Sequence, residues 1–93
     1  MANHKSAIKR IRQNQKRYLR NRYWRSSLRT AVKRVREAIA VGELETAQTQ
    51  LRSAVRVINR VASKGVIHKR QASRRVSRLT IAVNRLGAAQ QEA

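Results

Sequence analysis

The sequence predicts an all-α protein, a three-helix bundle whose long N-terminal helix projects beyond the bundle. Three observations give this prediction. The 93 residues include no proline, so no residue type forbids a long helix. Apolar residues recur at intervals of three and four, the period of one helix face. The three glycines, Gly42, Gly65 and Gly87, each follow such a stretch, where glycine can adopt the left-handed conformation that ends a helix.

The first helix is predicted over about residues 6–41 and has two different apolar faces. One face begins at Trp24 and can pack against the other helices; it continues with Leu28, Ala31, Val32, Val35 and Ile39. The earlier apolar residues lie well over 100° around the helix from that face, at about 100° per residue. Either the helix bends or breaks, or the early segment faces another way. We expect residues before about Asn21 to project beyond the bundle.

The second and third helices are predicted over about residues 44–64 and 68–86, with residues 88–93 as a tail. The second has an apolar face formed by Leu44, Ala47, Leu51, Ala54, Val55, Ile58, Val61 and Ala62. The third has a shorter one formed by Ala72, Val76, Leu79, Val83 and Leu86. Arginines occupy the opposite side of each helix. A chain of this length forms a single domain, residues 1–93, with a thin aliphatic core.

The charge of the chain predicts a polyanionic partner. Lys and Arg number 23 against 4 acidic residues, a net charge of +19, and no acid precedes Glu37. Like charges at this density repel over a Debye length of roughly 8 Å, so a compact state needs external anions. Ordinary solvated surfaces mix both signs. The excess of Arg over Lys favours bidentate phosphate contacts. Nucleic acid is therefore the first candidate partner and an anionic membrane the second.

Several other classes of protein lack support in the sequence. No cysteine is present for disulfides or thiolate metal sites, and no apolar run approaches the roughly 18 residues of a membrane span. His4 and His68 have no nearby residues with metal-ligand spacing. No phosphate-binding loop, nucleophile elbow or carboxylate pair is present. We therefore expect no cofactor, metal or catalysis, and a soluble chain that is not exported.

Some neutral residues admit two interpretations. Asn21, Ser26, Ser27 and Thr30 interrupt the basic run and either reach phosphate, sugar or bases, or form inert surface. Tyr18, Tyr23 and Trp24 could stack on unpaired bases, although Trp24 shares the face of Leu28 and is predicted to pack in the bundle. His68 could cap the third helix or contact phosphate, and we favour the contact.

The sequence resembles a known family at both ends. Residues 64–69, Lys-Gly-Val-Ile-His-Lys, with the Ala, Arg, Ser and Leu residues that follow as far as Leu79, closely resemble a signature of the bacterial small-subunit ribosomal protein S20 family. Residues 1–3, 5–11, 20–22 and 26–30 resemble its N-terminal pattern in the same order. The chain departs from the pattern at Arg70, Ser73 and Val76, where the family often has Asn, Ala and Lys. Val76 fits the apolar face and is predicted to pack.

The resemblance implies a structural protein of the small ribosomal subunit, not an enzyme. It implies direct binding to 16S ribosomal RNA, bridging helices of the 5′ domain and the long stem of the 3′ minor domain, as a monomer within the ribosome. No membrane and no small-molecule substrate are implied. The implied location is the cytoplasm, bound to ribosomes, in a bacterium or less readily in an organelle.

Carried over by position, the resemblance also implies a set of RNA-binding residues. They are Lys5, Lys9, Arg10, Arg12, Lys16, Arg17, Arg20, Asn21, Arg22, Arg25, Ser26, Ser27, Arg29, Thr30, Lys33, Lys64, His68, Lys69, Arg74, Arg75, Ser77 and Arg78.

Two rival functions share the basic composition. A DNA-compacting protein would need the same acid-poor surface, but the chain has no obvious intercalating wedge. A membrane-active cationic peptide would need one apolar face along the whole first helix. The apolar face of this helix changes direction near Asn21, which argues against that function.

Overall fold

The computed structural model describes residues 2–92 and has three helices in that part of the chain. They are α1 (Ala2–Val41), α2 (Leu44–Ser63) and α3 (Lys69–Glu92). No strand occurs between residues 2 and 92. The predicted all-α class and the long N-terminal helix are therefore confirmed.

Two of the three glycines end helices as predicted. Gly42 and Gly65 have φ angles of 85° and 75°, in the left-handed region. After α1, the Gly42 and Glu43 amides both donate to the Ala38 carbonyl, at 3.0 and 3.2 Å. After α2, the Val66 amide donates to the Val61 carbonyl at 3.3 Å. Such bonds satisfy the last carbonyls of a helix and fix the direction of the chain that follows.

The third glycine does not end a helix, and this part of the prediction is wrong. α3 runs through Gly87 to Glu92, so residues 88–92 are helical rather than a tail; residue 93 lies outside the described residues. Gly87 lies against α2, where an added Cβ would be 3.5 Å from Leu44 Cδ1. The Gln90 side-chain amide donates to the Gly42 carbonyl. The last turns of α3 therefore pack beside the α1–α2 turn.

The core is aliphatic and centred on α2, which packs against both other helices. Its buried members are Leu28, Val35, Ala38, Ala47, Ala54, Ile58, Val61, Ala72, Leu79 and Val83. Ala47 and Ala54 are fully buried, and such small side chains allow close helix packing. Trp24 and Val76 are half-buried against this core, which confirms their predicted packing. Leu51 is also only half-buried, although the sequence predicts it on the core face.

The N-terminal part of α1 extends beyond this core. Residues 5–20, which we call the overhang, are all exposed. α1 is one continuous helix of 40 residues, about 60 Å long. The molecule measures 73 × 22 × 14 Å, and its radius of gyration of 18.5 Å exceeds the roughly 13 Å of a compact domain this size. The two apolar faces of α1 therefore point in different directions along one unbroken helix, and the predicted projection is confirmed.

Candidate nucleic-acid interface

The basic side chains of the described chain lie on its surface almost without acidic neighbours. All Lys and Arg residues from Lys5 to Arg85 are exposed. Within residues 5–92 the single ion pair joins Lys33 Nζ to Glu37 Oε1 at 3.8 Å, between two mostly exposed side chains. Surface pairs of this kind are weak, so they do little to reduce the repulsion among the cations. The surface remains able to bind external anions.

Arginines line a groove between α1 and α3, which we call the arginine groove. It consists of two adjoining depressions of about 240 and 390 Å³ that share Val32, Gln71 and Arg75. The arginines that line it are Arg25, Arg29 and Arg36 from α1 and Arg74, Arg75 and Arg78 from α3. Its apolar floor includes Leu28 and Leu79, which are both buried members of the core. Planar guanidinium groups on both rims suit phosphate oxygens on both sides of a strand.

The arginine groove continues along α1 towards the overhang. Arg25 and Arg29 also line a surface depression of about 560 Å³ with Tyr18, Asn21 and Arg22. Tyr18 in turn belongs to a more open depression of about 580 Å³ on the overhang itself. A polar and basic track therefore runs from Asn21 to α3, and at Tyr18 it adjoins a mainly apolar depression on the overhang.

A second groove lies between α1 and α2 and is lined mainly by hydroxyl groups, so we call it the hydroxyl groove. It has a volume of about 320 Å³ and is lined by Tyr23, Ser26, Ser27, Thr30, Ala31, Arg34, Gln50, Ser53, Ala54 and Val57. The α1 residues of the two grooves are centred about 170° apart around the helix, at 100° per residue. The grooves therefore open on opposite sides of α1, and each could take a different nucleic-acid segment.

The turn between α2 and α3 carries the predicted site residues Lys64 and His68, and Lys69 is the first residue of α3; all three are exposed. His68 caps α3: its carbonyl accepts from the Ala72 amide at 3.1 Å, and its Nδ1 accepts from the Arg70 amide at 3.1 Å. This is the geometry of an N-cap residue. An accepting Nδ1 leaves Nε2 as the N–H donor of a neutral ring. The two interpretations of His68 are therefore compatible, since one nitrogen caps while the other can donate to phosphate.

Aromatic residues connect this turn to α1. The Tyr23 and Trp24 rings meet edge to face, with centroids 5.1 Å apart at 77°. Lys64 Nζ lies 6.0 Å from the Trp24 ring centroid, at the outer limit of a cation–π contact. Tyr18 and Tyr23 are 65% and 64% exposed, so their rings remain accessible for stacking.

The four acidic residues lie at the end of the molecule opposite the overhang, which we call the acidic pole. Glu37, Glu43 and Glu45 flank the α1–α2 turn, and no Lys or Arg occurs between residues 38 and 51. The contact of Gln90 with Gly42 holds the last turns of α3, which contain Glu92, beside that turn. The molecule is therefore electrically polar, with many of its cations on the overhang and in the arginine groove.

The structure groups the predicted site residues unevenly. The predicted cations of the overhang form one set, Ser26, Ser27 and Thr30 line the hydroxyl groove, and Arg25, Arg29, Arg74, Arg75 and Arg78 line the arginine groove. Lys33 is paired with Glu37, and the exposed Ser77 lines neither groove.

Sequence reasoning missed five polar groove residues. Arg36 and Gln71 line the arginine groove, and Arg34, Gln50 and Ser53 line the hydroxyl groove. Arg36 and Gln71 each lie one turn from a predicted residue, whereas Arg34, Gln50 and Ser53 become part of a groove only because α1 and α2 pack together.

Two further observations concern the described residues. No group of three or more His or acidic side chains between residues 5 and 92 is arranged to hold a metal ion. None of the three helices, over the residues described, combines the length and the apolar character needed to cross a membrane.

The fold and the surface define a small all-α protein whose exposed chemistry is that of an anion-binding surface. Comparison with known proteins makes this specific. The family model described as Ribosomal protein S20 matches residues 2–84. The chain belongs to the ribosomal protein S20 family, as its sequence motifs indicated.

Relatives named Small ribosomal subunit protein bS20 match nearly the whole chain. Those of Geobacter sulfurreducens and Trichlorobacter lovleyi are each 59% identical over 87 residues, covering 94% of this chain and 100% of the relative. That of Magnetococcus marinus is 52% identical over 89 residues, covering 96% of this chain and 97% of the relative.

Proposed function

We propose that this chain is a structural protein of the small ribosomal subunit that binds 16S ribosomal RNA directly. The observation that carries the proposal is the presence of two grooves on opposite sides of α1, one lined by arginines and one lined by hydroxyl groups and Arg34. Both adjoin a depression that reaches the overhang, which has no acidic residue. Membership of the ribosomal protein S20 family, with relatives named as small-subunit proteins, supports it.

The proposed mechanism is replacement of counterions. Each Lys or Arg that neutralises a phosphate releases a condensed cation, and this release drives binding. The grooves also position the contacts. Arginine guanidinium groups bind phosphates on one side of α1, and hydroxyl groups bind phosphate or ribose on the other. The protein would thereby hold two RNA segments together, which we assign to helices of the 5′ domain and the stem of the 3′ minor domain. It works as a monomer within the cytoplasmic ribosome and performs no chemistry.

A titration against salt tests the mechanism. If six to ten phosphates are neutralised, affinity for a 16S 5′-domain transcript falls by about 10³- to 10⁵-fold between 50 and 200 mM salt. An affinity that hardly changes with salt contradicts counterion replacement.

Competition tests the identity of the polyanion against a DNA-compacting function. Unlabelled 5′-domain RNA should displace a labelled 5′-domain transcript at much lower concentrations than a plain DNA duplex of similar length does. Equal displacement by both would favour the architectural DNA-binding function instead.

A further inference from the structure

The overhang carries large apolar side chains that no part of the described chain covers. Ile8, Ile11, Tyr18 and Leu19 are 42%, 56%, 65% and 62% exposed. They lie within about 100° of one another around α1, and we call them the apolar stripe. Rows of exposed apolar groups mark contact surfaces more often than scattered ones do.

The direction of the apolar stripe excludes an intramolecular role. Its centre lies about 150° around α1 from the core face that includes Leu28 and Val35, at 100° per residue. α1 is a continuous helix, so α2 and α3 pack on the other side. Whatever covers the stripe must come from another molecule.

The surroundings of the apolar stripe indicate the charge of that molecule. Lys5, Arg12 and Lys16 border it on one edge, and no acidic residue precedes Glu37. A second copy of this chain would bring the same cations against them, which costs electrostatic energy that four apolar side chains per copy must overcome. A polyanion instead gains from both the cations and the apolar contact. Charge complementarity therefore selects RNA as the occupant.

The shape and chemistry of the stripe indicate which part of the RNA it contacts. Asn14 and Gln15 line the same open depression as Ile11, Tyr18 and Leu19. Three of the four apolar side chains are aliphatic, so the stripe is a poor stacking platform for splayed bases. The minor groove of A-form RNA is wide and shallow and displays riboses, 2′-hydroxyls and base edges between two phosphate strands. It offers apolar C–H surface, partners for side-chain amides and phosphates for the bordering cations.

We infer that the apolar stripe packs on the ribose-lined minor groove of an RNA duplex, with Asn14 and Gln15 bonding to 2′-hydroxyls and the bordering cations bonding to phosphates. This inference rests on the proposed function and deepens it. The stripe adds affinity that does not depend on counterion release, and it prefers RNA to DNA. The B-DNA minor groove, about 6 Å wide, is too narrow for a helix about 10 Å across.

The test uses the full chain with both stripe residues changed, Ile11→Gln and Leu19→Gln. Glutamine removes the apolar contact, keeps the charge and has a helix propensity at least as good as that of the residues replaced. Val41→Gln is the matched control, because Val41 is 71% exposed but lies at the acidic pole. The probe is the 16S 5′-domain transcript, titrated at several salt concentrations. The double variant should bind it about tenfold to a hundredfold more weakly. Its salt slope and melting temperature should be unchanged, and the control should bind like the wild type.

The outcomes separate this inference from the proposed function. A wild-type chain that does not bind the transcript overturns both. A wild-type chain that binds, with a double variant that binds equally well, overturns the inference alone. Sedimentation showing a wild-type dimer that the double variant abolishes would assign the stripe to a second copy. A final arm compares one duplex sequence as RNA and as DNA: the inference expects the loss on RNA only, and an equal loss on both contradicts it.

Discussion

At the scale of single residues, identical amino acids play different roles because of what surrounds them. Gly42 and Gly65 adopt positive φ and end helices, whereas Gly87 lies inside α3 beside Leu44. A sequence pattern detects that a glycine follows a periodic stretch, and all three do. It does not show whether the glycine turns the chain or admits a neighbouring helix, because that depends on a contact 43 residues away in sequence, between Gly87 and Leu44.

Replacing a glycine that ends a helix and replacing the glycine inside α3 by alanine should change stability in opposite directions. Gly42→Ala places a Cβ at a φ of 85° and should lower the free energy of unfolding by about 1–2 kcal/mol. Gly87 has a helical conformation, and the Cβ of an alanine there would lie 3.5 Å from Leu44 Cδ1, an ordinary van der Waals distance. Gly87→Ala should therefore raise the free energy of unfolding by about 0.4–1 kcal/mol. Urea denaturation measures both. Changes of the same sign would contradict the assigned conformations.

Two leucines on predicted core faces should differ in their contribution to stability. Leu79 is 3% exposed, so Leu79→Ala should cost about 2–5 kcal/mol of unfolding free energy through lost burial and the cavity it leaves. Leu51 is only half-buried, and Leu51→Ala should cost clearly less. The measurement is chemical denaturation of both variants. Equal losses would show that the core is centred elsewhere.

The two roles of His68 can be separated by substitution. His68→Ala removes the cap of α3 and should cost about 0.5–2 kcal/mol of stability. His68→Asn keeps a good cap and should retain the melting temperature while losing any contact made by Nε2. RNA affinity is measured alongside stability. Full affinity in the Asn variant would limit His68 to capping.

At the scale of helices, α1 both packs in the bundle and forms the overhang, and the sequence distinguishes these two roles only in part. The change of apolar face near Asn21 correctly predicted a projecting segment, because periodicity is a property of one helix. The arginine groove was only half predicted, since Arg36 and Gln71 acquire their place when α1 meets α3. Pairing between helices distant in sequence leaves no periodic signal. Hence the basic stripes could be predicted from the sequence, and the two grooves between helices could not.

Deletion of residues 1–20 should separate binding from folding. Residues 5–20 of the deleted segment are all exposed and contribute no side chain to the core, so the melting temperature should move by only a few degrees. It carries seven Lys and Arg residues, so affinity for the 16S 5′-domain transcript should fall about tenfold or more. Thermal unfolding and RNA titration are made on the same preparation. Equal proportional losses in both would mean that the overhang belongs to the folded unit.

At the scale of the whole molecule, the charge is distributed along the long axis, from the cationic overhang to the acidic pole. The overhang and the arginine groove are cationic, and the four acids lie at the far end around the α1–α2 turn. Close to a polyanion, such a molecule is oriented with its overhang inward and the acidic pole towards solvent. The net charge was visible in the composition, but its polarity required the helical extension of α3, which carries Glu92 to that turn.

The central claim is that the two grooves on opposite sides of α1 hold two different segments of 16S RNA. Site-specific crosslinkers placed one at a time at Ser53, in the hydroxyl groove, and at Gln71, in the arginine groove, test it directly on assembled small subunits. We predict that the two positions crosslink to separate RNA segments, one in the 5′ domain and one in the 3′ minor domain. Crosslinks from both positions to a single segment, or from neither to RNA, would contradict the account.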